Sequence, residues 1–121
     1  MRALIIDDSR TMRMIIGKIV RELGFETFEA GDGREGLQRL AENGTPDLML
    51  VDWNMPAMNG YEFVLAVRAN PQHAAAQIMM VTTESELSQI ARALEAGANE
   101  YVMKPFTKEV LQEKLAILGV A

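Results

Sequence analysis

Apolar residues fall along the chain in two alternating rhythms. Five short runs, at 3–6 (ALII), 27–30 (TFEA), 48–51 (LMLV), 78–81 (IMMV) and 101–103 (YVM), are separated by longer stretches. In those stretches apolar positions recur every three or four residues. Met12, Ile15, Ile16, Ile19, Val20 and Leu23 share one face of a helix at that spacing, and Gly24 stops it. Leu37, Leu40 and Ala41 mark a second helix, and residues 61–69 a third. Leu87, Ile90, Ala91 and Leu94 predict a fourth, ended by Gly97, and 108–118 a fifth with Thr107 as its N-cap. Runs one, three and four are apolar without alternation, as strands covered on both faces are. Run two carries Glu26 and Glu29 and predicts an edge strand. Strict β-α alternation predicts an α/β fold, a doubly wound five-stranded parallel sheet with right-handed crossovers and five helices on its two faces.

Composition narrows the function classes. The chain has 121 residues, 49% of them hydrophobic, enough for one core and too few for two. No linker, repeat or low-complexity segment interrupts it, so 1–121 is expected to be a single domain with no output domain. A formal net charge of −5 argues against broad binding to nucleic acid or to an anionic membrane. With no cysteine, disulfides and thiolate metal sites are excluded. The single histidine, His73, lies in the polar stretch NPQHAAAQ and is expected at the surface, where it could not form a multi-histidine metal site. No apolar run suits a signal peptide or a membrane span, so a cytoplasmic location is expected.

In an open parallel sheet, ligands bind at the carboxyl ends of the strands. The first run stops on Asp7 and Asp8, the third on Asp52, the fourth on Thr82 and Thr83, and the fifth on Lys104. Only the second, ending at Ala30, carries no such group. Any one of these could be a solvated turn; four strands of five ending so point to a site. Three carboxylates in one small volume need a cation, and oxygen ligands without His or Cys favour a hard ion, Mg²⁺ first. Mg²⁺ commonly joins a few carboxylates to a phosphate, which makes a phosphoryl ligand the natural second guest. Lys104 can then serve as a point charge on a phosphoryl oxygen, and Thr82 as a hydrogen-bond donor. Asp52 stands alone on a central strand before the loop WNMPAMNG and is the best candidate for a nucleophile that forms an acyl phosphate. Two rivals remain at this point. One is a phosphohydrolase using Asp52, although the second acid such enzymes want two residues on is here Asn54. The other is an interaction module that is never phosphorylated.

Four segments, IIDDS (5–9), LVDWNMPAMNGYE (50–62), MMVTTE (79–84) and EYVMKPF (100–106), resemble the signature segments of the response-regulator receiver domain. The likeness covers essentially the whole chain and is strongest to the stand-alone, CheY-like chemotaxis regulators of that family. It implies a flavodoxin-like fold with strand order 2-1-3-4-5, and Asp52 as acceptor of a phosphoryl group from a CheA-like histidine kinase. By the same resemblance Asp8, Asp52 and the Asn54 backbone carbonyl would ligate Mg²⁺ directly, with Asp7 acting through a bound water. Lys104 would pair with the phosphoryl group, Thr82 would swing in to bond it, and Tyr101 would move from an exposed to a buried rotamer. Ile90, Tyr101, Met103 and Lys114 would form the face that meets a flagellar motor switch or another motility component. Asn54 and Glu84 would tune water access and give fairly rapid self-dephosphorylation. The protein would be a monomer, with no enzymatic turnover beyond its own phosphorylation and dephosphorylation, and the Lys104–Pro105 bond would be cis.

Three further features have plainer readings. Gly31, Gly33 and Gly36 spell G-x-G-x-x-G, but Asp32 and Glu35 would put negative charge where a pyrophosphate must lie, so a turn and helix start is expected. Of nine methionines, Met49, Met79, Met80 and Met103 fall in strands as core filling, while Met55 and Met58 are expected to be open to solvent beside the acidic rim. Trp53, next to Asp52, is expected half-buried and a natural optical reporter.

Overall fold

The computed structural model describes residues 1–120 and the side chains among them other than that of Glu84. The elements alternate as β1 (Arg2–Ile6), α1 (Arg10–Glu22), β2 (Glu26–Ala30), α2 (Gly33–Asn43), β3 (Leu48–Asp52), α3 (Gly60–Arg68), β4 (Gln77–Thr82), α4 (Ile90–Ala96), β5 (Glu100–Met103) and α5 (Lys108–Leu118). Two 3₁₀ turns, Pro71–His73 and Glu84–Gln89, precede β4 and α4. The strands pair in parallel in the order β2-β1-β3-β4-β5, a flavodoxin-like sheet with β2 at one edge.

Side chains alternate across each strand, so the central strands feed two cores. Leu4, Ile6, Met49, Val51, Ile78 and Met80 pack on one face with Leu40 of α2, Phe63, Val64 and Val67 of α3, and Ile90 and Ala93 of α4. Ala3, Ile5, Leu48, Leu50, Met79, Val81 and Val102 pack on the other with Ile16 and Val20 of α1 and Leu111 and Leu115 of α5. Fully burying such side chains is worth roughly 1.5–3 kcal/mol each, which holds the layers together. Local signals agree with the layers. Ser9, Asp32, Asn59 and Thr107 cap α1, α2, α3 and α5 with their side-chain oxygens, and Asn59 forms a reciprocal capping box with Glu62. Asp32 therefore serves as a helix cap, as the turn reading of the Gly31–Gly36 motif expects.

Two expectations need correction. The fourth helix was predicted from Leu87 onward, but Leu87 lies in the 3₁₀ turn Glu84–Gln89 and is 39% exposed. A 3₁₀ turn advances about 120° per residue instead of about 100°, so a face counted through it is lost. Ile90 and Ala93 point inward, and Leu94 is 41% exposed. His73, expected at the surface, is only 5% exposed. Its ring nitrogen Nδ1 lies 2.6 Å from Thr45 Oγ1, at the end of the sheet away from the acids.

Arg68 accounts for the order around His73. Its guanidinium donates to the carbonyl oxygens of Gly97, His73, Ala74 and Ala76 and to Asn99 Oδ1. One side chain thus ties the end of α3 to the approach to β4 and to the turn between α4 and β5. Burial lowers the Arg68 pKa from its usual value. Gly97 has φ +124°, and a Cβ there would lie 2.5 Å from Arg68 Cγ, so both backbone conformation and space demand glycine.

Candidate functional site

Register sets the site. Ile6 of β1 is level with Val51 of β3, so Asp7 and Asp8, just beyond β1, lie beside Asp52. Carboxylate oxygens of the three acids all lie within 4.8 Å of one another. Asp7 and Asp52 are buried, while Asp8 stands exposed at the rim. Lys104 reaches in from the residue after β5, across a cis Lys104–Pro105 bond. Its Nζ lies 3.1 Å from Asp7 Oδ2 and 3.2 Å from Asp52 Oδ1.

Three carboxylates share this volume, and Lys104 pairs with two of them, Asp7 and Asp52. Burial pushes the Asp52 carboxyl up from 3.8 to about 6, and the neighbouring charge of Asp7 adds to the shift. Lys104 opposes it by charge and hydrogen bond, and Glu86 contributes a smaller push upward. Burial works to lower the Lys104 ammonium, but Asp52 and Asp7 outweigh it, and the net shift is upward. Excess negative charge and an all-oxygen donor set suit a hard divalent cation. A cation there would also bring Asp52 back to its ionised form.

Asp7 is held on every side. Its N–H donates to Ala30 O at 3.2 Å, its Oδ1 accepts from Ser9 N at 2.8 Å, and its Oδ2 accepts from Lys104. Its carbonyl oxygen accepts from Arg13 Nη1 at 2.6 Å, and Arg13 Nε donates to Glu29 Oε1 at 3.0 Å. Sequence reasoning passed over Arg13, because its partners lie on another strand and in a turn that no periodicity connects to it.

The loop after β3 folds back tightly, with Gly60 N donating to Trp53 O at 2.9 Å. This closure corrects the expectation for two methionines. Met55 is buried in the core, and Met58 is partly buried with its side chain against Gly33. Asn54 is exposed. Trp53 is half-buried as expected, its ring 6.2 Å from that of Tyr61, which in turn lies 4.6 Å below the Arg92 guanidinium of α4.

The remaining candidates lie toward β4 and β5. Thr82 is fully buried, and its hydroxyl donates to the Thr83 carbonyl at 3.2 Å, not to a group of the acidic cluster. The Glu84 side chain lies outside the described residues. Tyr101 is half-buried with Lys114 Nζ 4.6 Å above its ring, and Lys114 also meets Glu100 at 3.5 Å. Tyr101, Met103, Pro105, Phe106, Val110 and Lys114 line a groove of about 370 Å³. Ile90 does not belong to that surface: it is 6% exposed and packed in the core. The exposed apolar residues around α4 are Leu87 and Leu94 instead.

Against known proteins, the model of the response regulator receiver domain matches residues 3–116. The chemotaxis protein CheY of Pseudomonas aeruginosa is 47% identical over 95% of this chain and 93% of that protein. The chemotaxis protein CheY1 of Helicobacter pylori strain J99 is 43% identical over 98% of this chain and 96% of its own length. Among solved structures, the chemotaxis response regulator CheY4 of Vibrio cholerae superposes with a TM-score of 0.87 at 35% identity, covering 97% of both chains.

Proposed function

Because the chain belongs to the response regulator receiver domain family and is a phosphorylation-activated switch of two-component signalling in chemotaxis, we propose that Asp52 is the residue that takes the phosphoryl group. One observation carries this reading. Asp52 is a buried carboxylate at the end of the central strand, within 4.8 Å of two further carboxylates and with one oxygen held by Lys104. In the transfer, an Asp52 oxygen bonds to phosphorus as the P–N bond to the donor's phosphohistidine breaks. The imidazole nitrogen leaves with the electron pair and takes up a proton.

Asp8, Asp52 and the Asn54 backbone carbonyl would hold Mg²⁺, and Asp7, whose two oxygens already serve Ser9 and Lys104, would support it indirectly. When bound, Mg²⁺ would supply positive charge that offsets the carboxylates and the incoming phosphoryl group. Lys104, whose Nζ lies 3.2 Å from Asp52 Oδ1, would balance part of the phosphoryl group's charge. Transfer adds roughly −1.5 to −2 charge and three acceptors at one point. The Thr82 hydroxyl exchanges its Thr83 carbonyl for one of those oxygens, and Tyr101 turns inward into the space this opens. The groove formed with Met103, Val110 and Lys114 changes shape, and with exposed Leu87 and Leu94 it makes the partner face. Couplings of this kind are typically about 1–3 kcal/mol, a several-fold to hundredfold change in partner affinity.

On this reading the phosphodonor is a CheA-like histidine kinase, and the target is a flagellar motor switch or another motility component. The protein acts as a cytoplasmic monomer, and its targets are proteins rather than nucleic acid or membrane. Among the described residues no helix is long and apolar enough to cross a membrane. Its catalysis is limited to gaining and losing its own phosphoryl group, with Asn54 and Glu84 tuning water access. A phosphohydrolase is disfavoured because Asn54 occupies the place of the second acid.

Trp53 fluorescence provides the test. Mg²⁺ is expected to quench it, and a small acyl-phosphate donor to change it further with a one-phosphoryl gain in mass. A folded protein that answers neither addition, or that turns over phosphomonoesters, overturns the reading. For the partner face, Leu94→Asp is expected to weaken capture of the phosphorylated protein by a motor-switch fragment about tenfold. Unchanged affinity would move the target elsewhere on the surface.

A further inference from the structure

Arg13 stands in the first turn of α1 and sends its guanidinium back across the end of the sheet. Its side chain is only 18% exposed, and it spans two elements, with Nη1 on the Asp7 carbonyl at 2.6 Å and Nε on Glu29 Oε1 of β2 at 3.0 Å. The peptide it grips joins Asp7 to Asp8. The plane of that peptide decides where the Asp8 Cα begins and so where its carboxylate can reach. Asp7 has its own anchors in Ala30, Ser9 and Lys104. Asp8 has none of this kind: it is exposed, and among the described residues nothing donates to its carboxylate. Its aim therefore depends on the backbone that Arg13 holds.

We propose that Arg13 is a positioning residue for the divalent-cation site, holding the Asp7–Asp8 peptide so that the Asp8 carboxylate meets the volume shared with Asp52. The inference rests on the reading above, in which Asp8 and Asp52 hold Mg²⁺. Arg13 suits the task because a planar fork can serve two acceptors at fixed angles, whereas a lysine ammonium on a flexible stem cannot pin a peptide plane. Groups that orient a metal's ligands are typically worth about 10–100-fold in metal affinity.

Charge and positioning make opposite predictions. A guanidinium beside the acids repels an incoming cation, so if charge were its only influence, Arg13→Met would tighten Mg²⁺ binding and Arg13→Lys would leave it unchanged. If Arg13 positions Asp8, both variants bind Mg²⁺ more weakly, by about tenfold. The experiment titrates Mg²⁺ into wild type, Arg13→Met and Arg13→Lys by Trp53 fluorescence, with thermal unfolding to verify folding and amide NMR shifts at Asp8 and Ser9. Phosphorylation rates are then compared at low and saturating Mg²⁺. Weaker binding in both variants, altered Asp8 shifts and rates restored by excess Mg²⁺ are the expected result. Tighter or unchanged binding overturns the proposal, and if Arg13→Met does not fold, Arg13→Lys decides it alone. A wild type that ignores Mg²⁺ would instead sink the metal reading from which the inference starts.

Discussion

Asp52→Asn is expected to gain no phosphoryl group from any donor and, free of metal above pH 7, to be more stable than the wild type. The loss follows from the missing nucleophilic carboxylate oxygen. The gain follows from the direction of the Asp52 shift. Burial and Asp7 raise its folded-state pKa from 3.8 to about 6, so between those values the folded protein binds more protons than the unfolded chain. Stability contributed by the protonated form is present in full below about 4 and lost as pH rises through about 6. At pH 8 the wild type bears the whole penalty of a buried carboxylate beside another. A shift of that size corresponds to at most about 3 kcal/mol. Asparagine gives up the Lys104 ion pair, although Lys104 keeps Asp7, so a net gain of about 1–3 kcal/mol is expected. Urea unfolding in chelator at pH 8 and pH 4 measures it: the gap should be wide at the first and closed at the second. A gap equal at both would show that Asp52 titration is not its source. Adding Mg²⁺ at pH 8 should stabilise the wild type and narrow the difference, because only its complete carboxylate set binds the ion well.

Gly60→Ala is the second large effect, a loss of about 2–4 kcal/mol together with a blunted Mg²⁺ response. The cause is close approach. A Cβ at Gly60 would lie 2.5 Å from the Asp52 carbonyl oxygen, 3.0 Å from Trp53 Cα and 2.8 Å from Met80 Cε. Two of those neighbours are backbone and cannot swing aside as a side-chain tip can. Relief would require α3 to retreat or the end of β3 to shift, and the latter carries Asp52. Gly24→Ala makes the comparison, since Gly24 has φ +100° and nothing within 4 Å of a Cβ. That substitution incurs only the strained backbone, about 1 kcal/mol, with an unaltered Mg²⁺ response. Equal losses in the two variants, measured by urea unfolding, would refute crowding at Gly60.

The sequence by itself determined the alternating elements, the doubly wound sheet and the chemistry of its carboxyl-terminal rim. Apolar runs that break off on Asp7, Asp8, Asp52 and Lys104 make those residues visible, because an element's hydrophobic period is local and the end of a parallel strand has a known use. The order of the strands is not local, and it came from the receiver-domain signature segments instead. Only the tertiary structure decided which residues around α4 face inward. The 3₁₀ turn before the helix takes Leu87 off the periodic face, and within α4 it is Ile90 and Ala93 that pack in the core while Leu94 faces solvent. Tertiary contact likewise buried His73 beside the Arg68 network, placed Met55 in the core, and brought Arg13 to the Asp7 carbonyl. Periodicity reports the direction of a side chain relative to its own helix or strand. Burial, crowding and ion pairing depend on what another element presents across the gap, and in the pair of Lys104 with Asp7 that element lies 97 residues away along the chain.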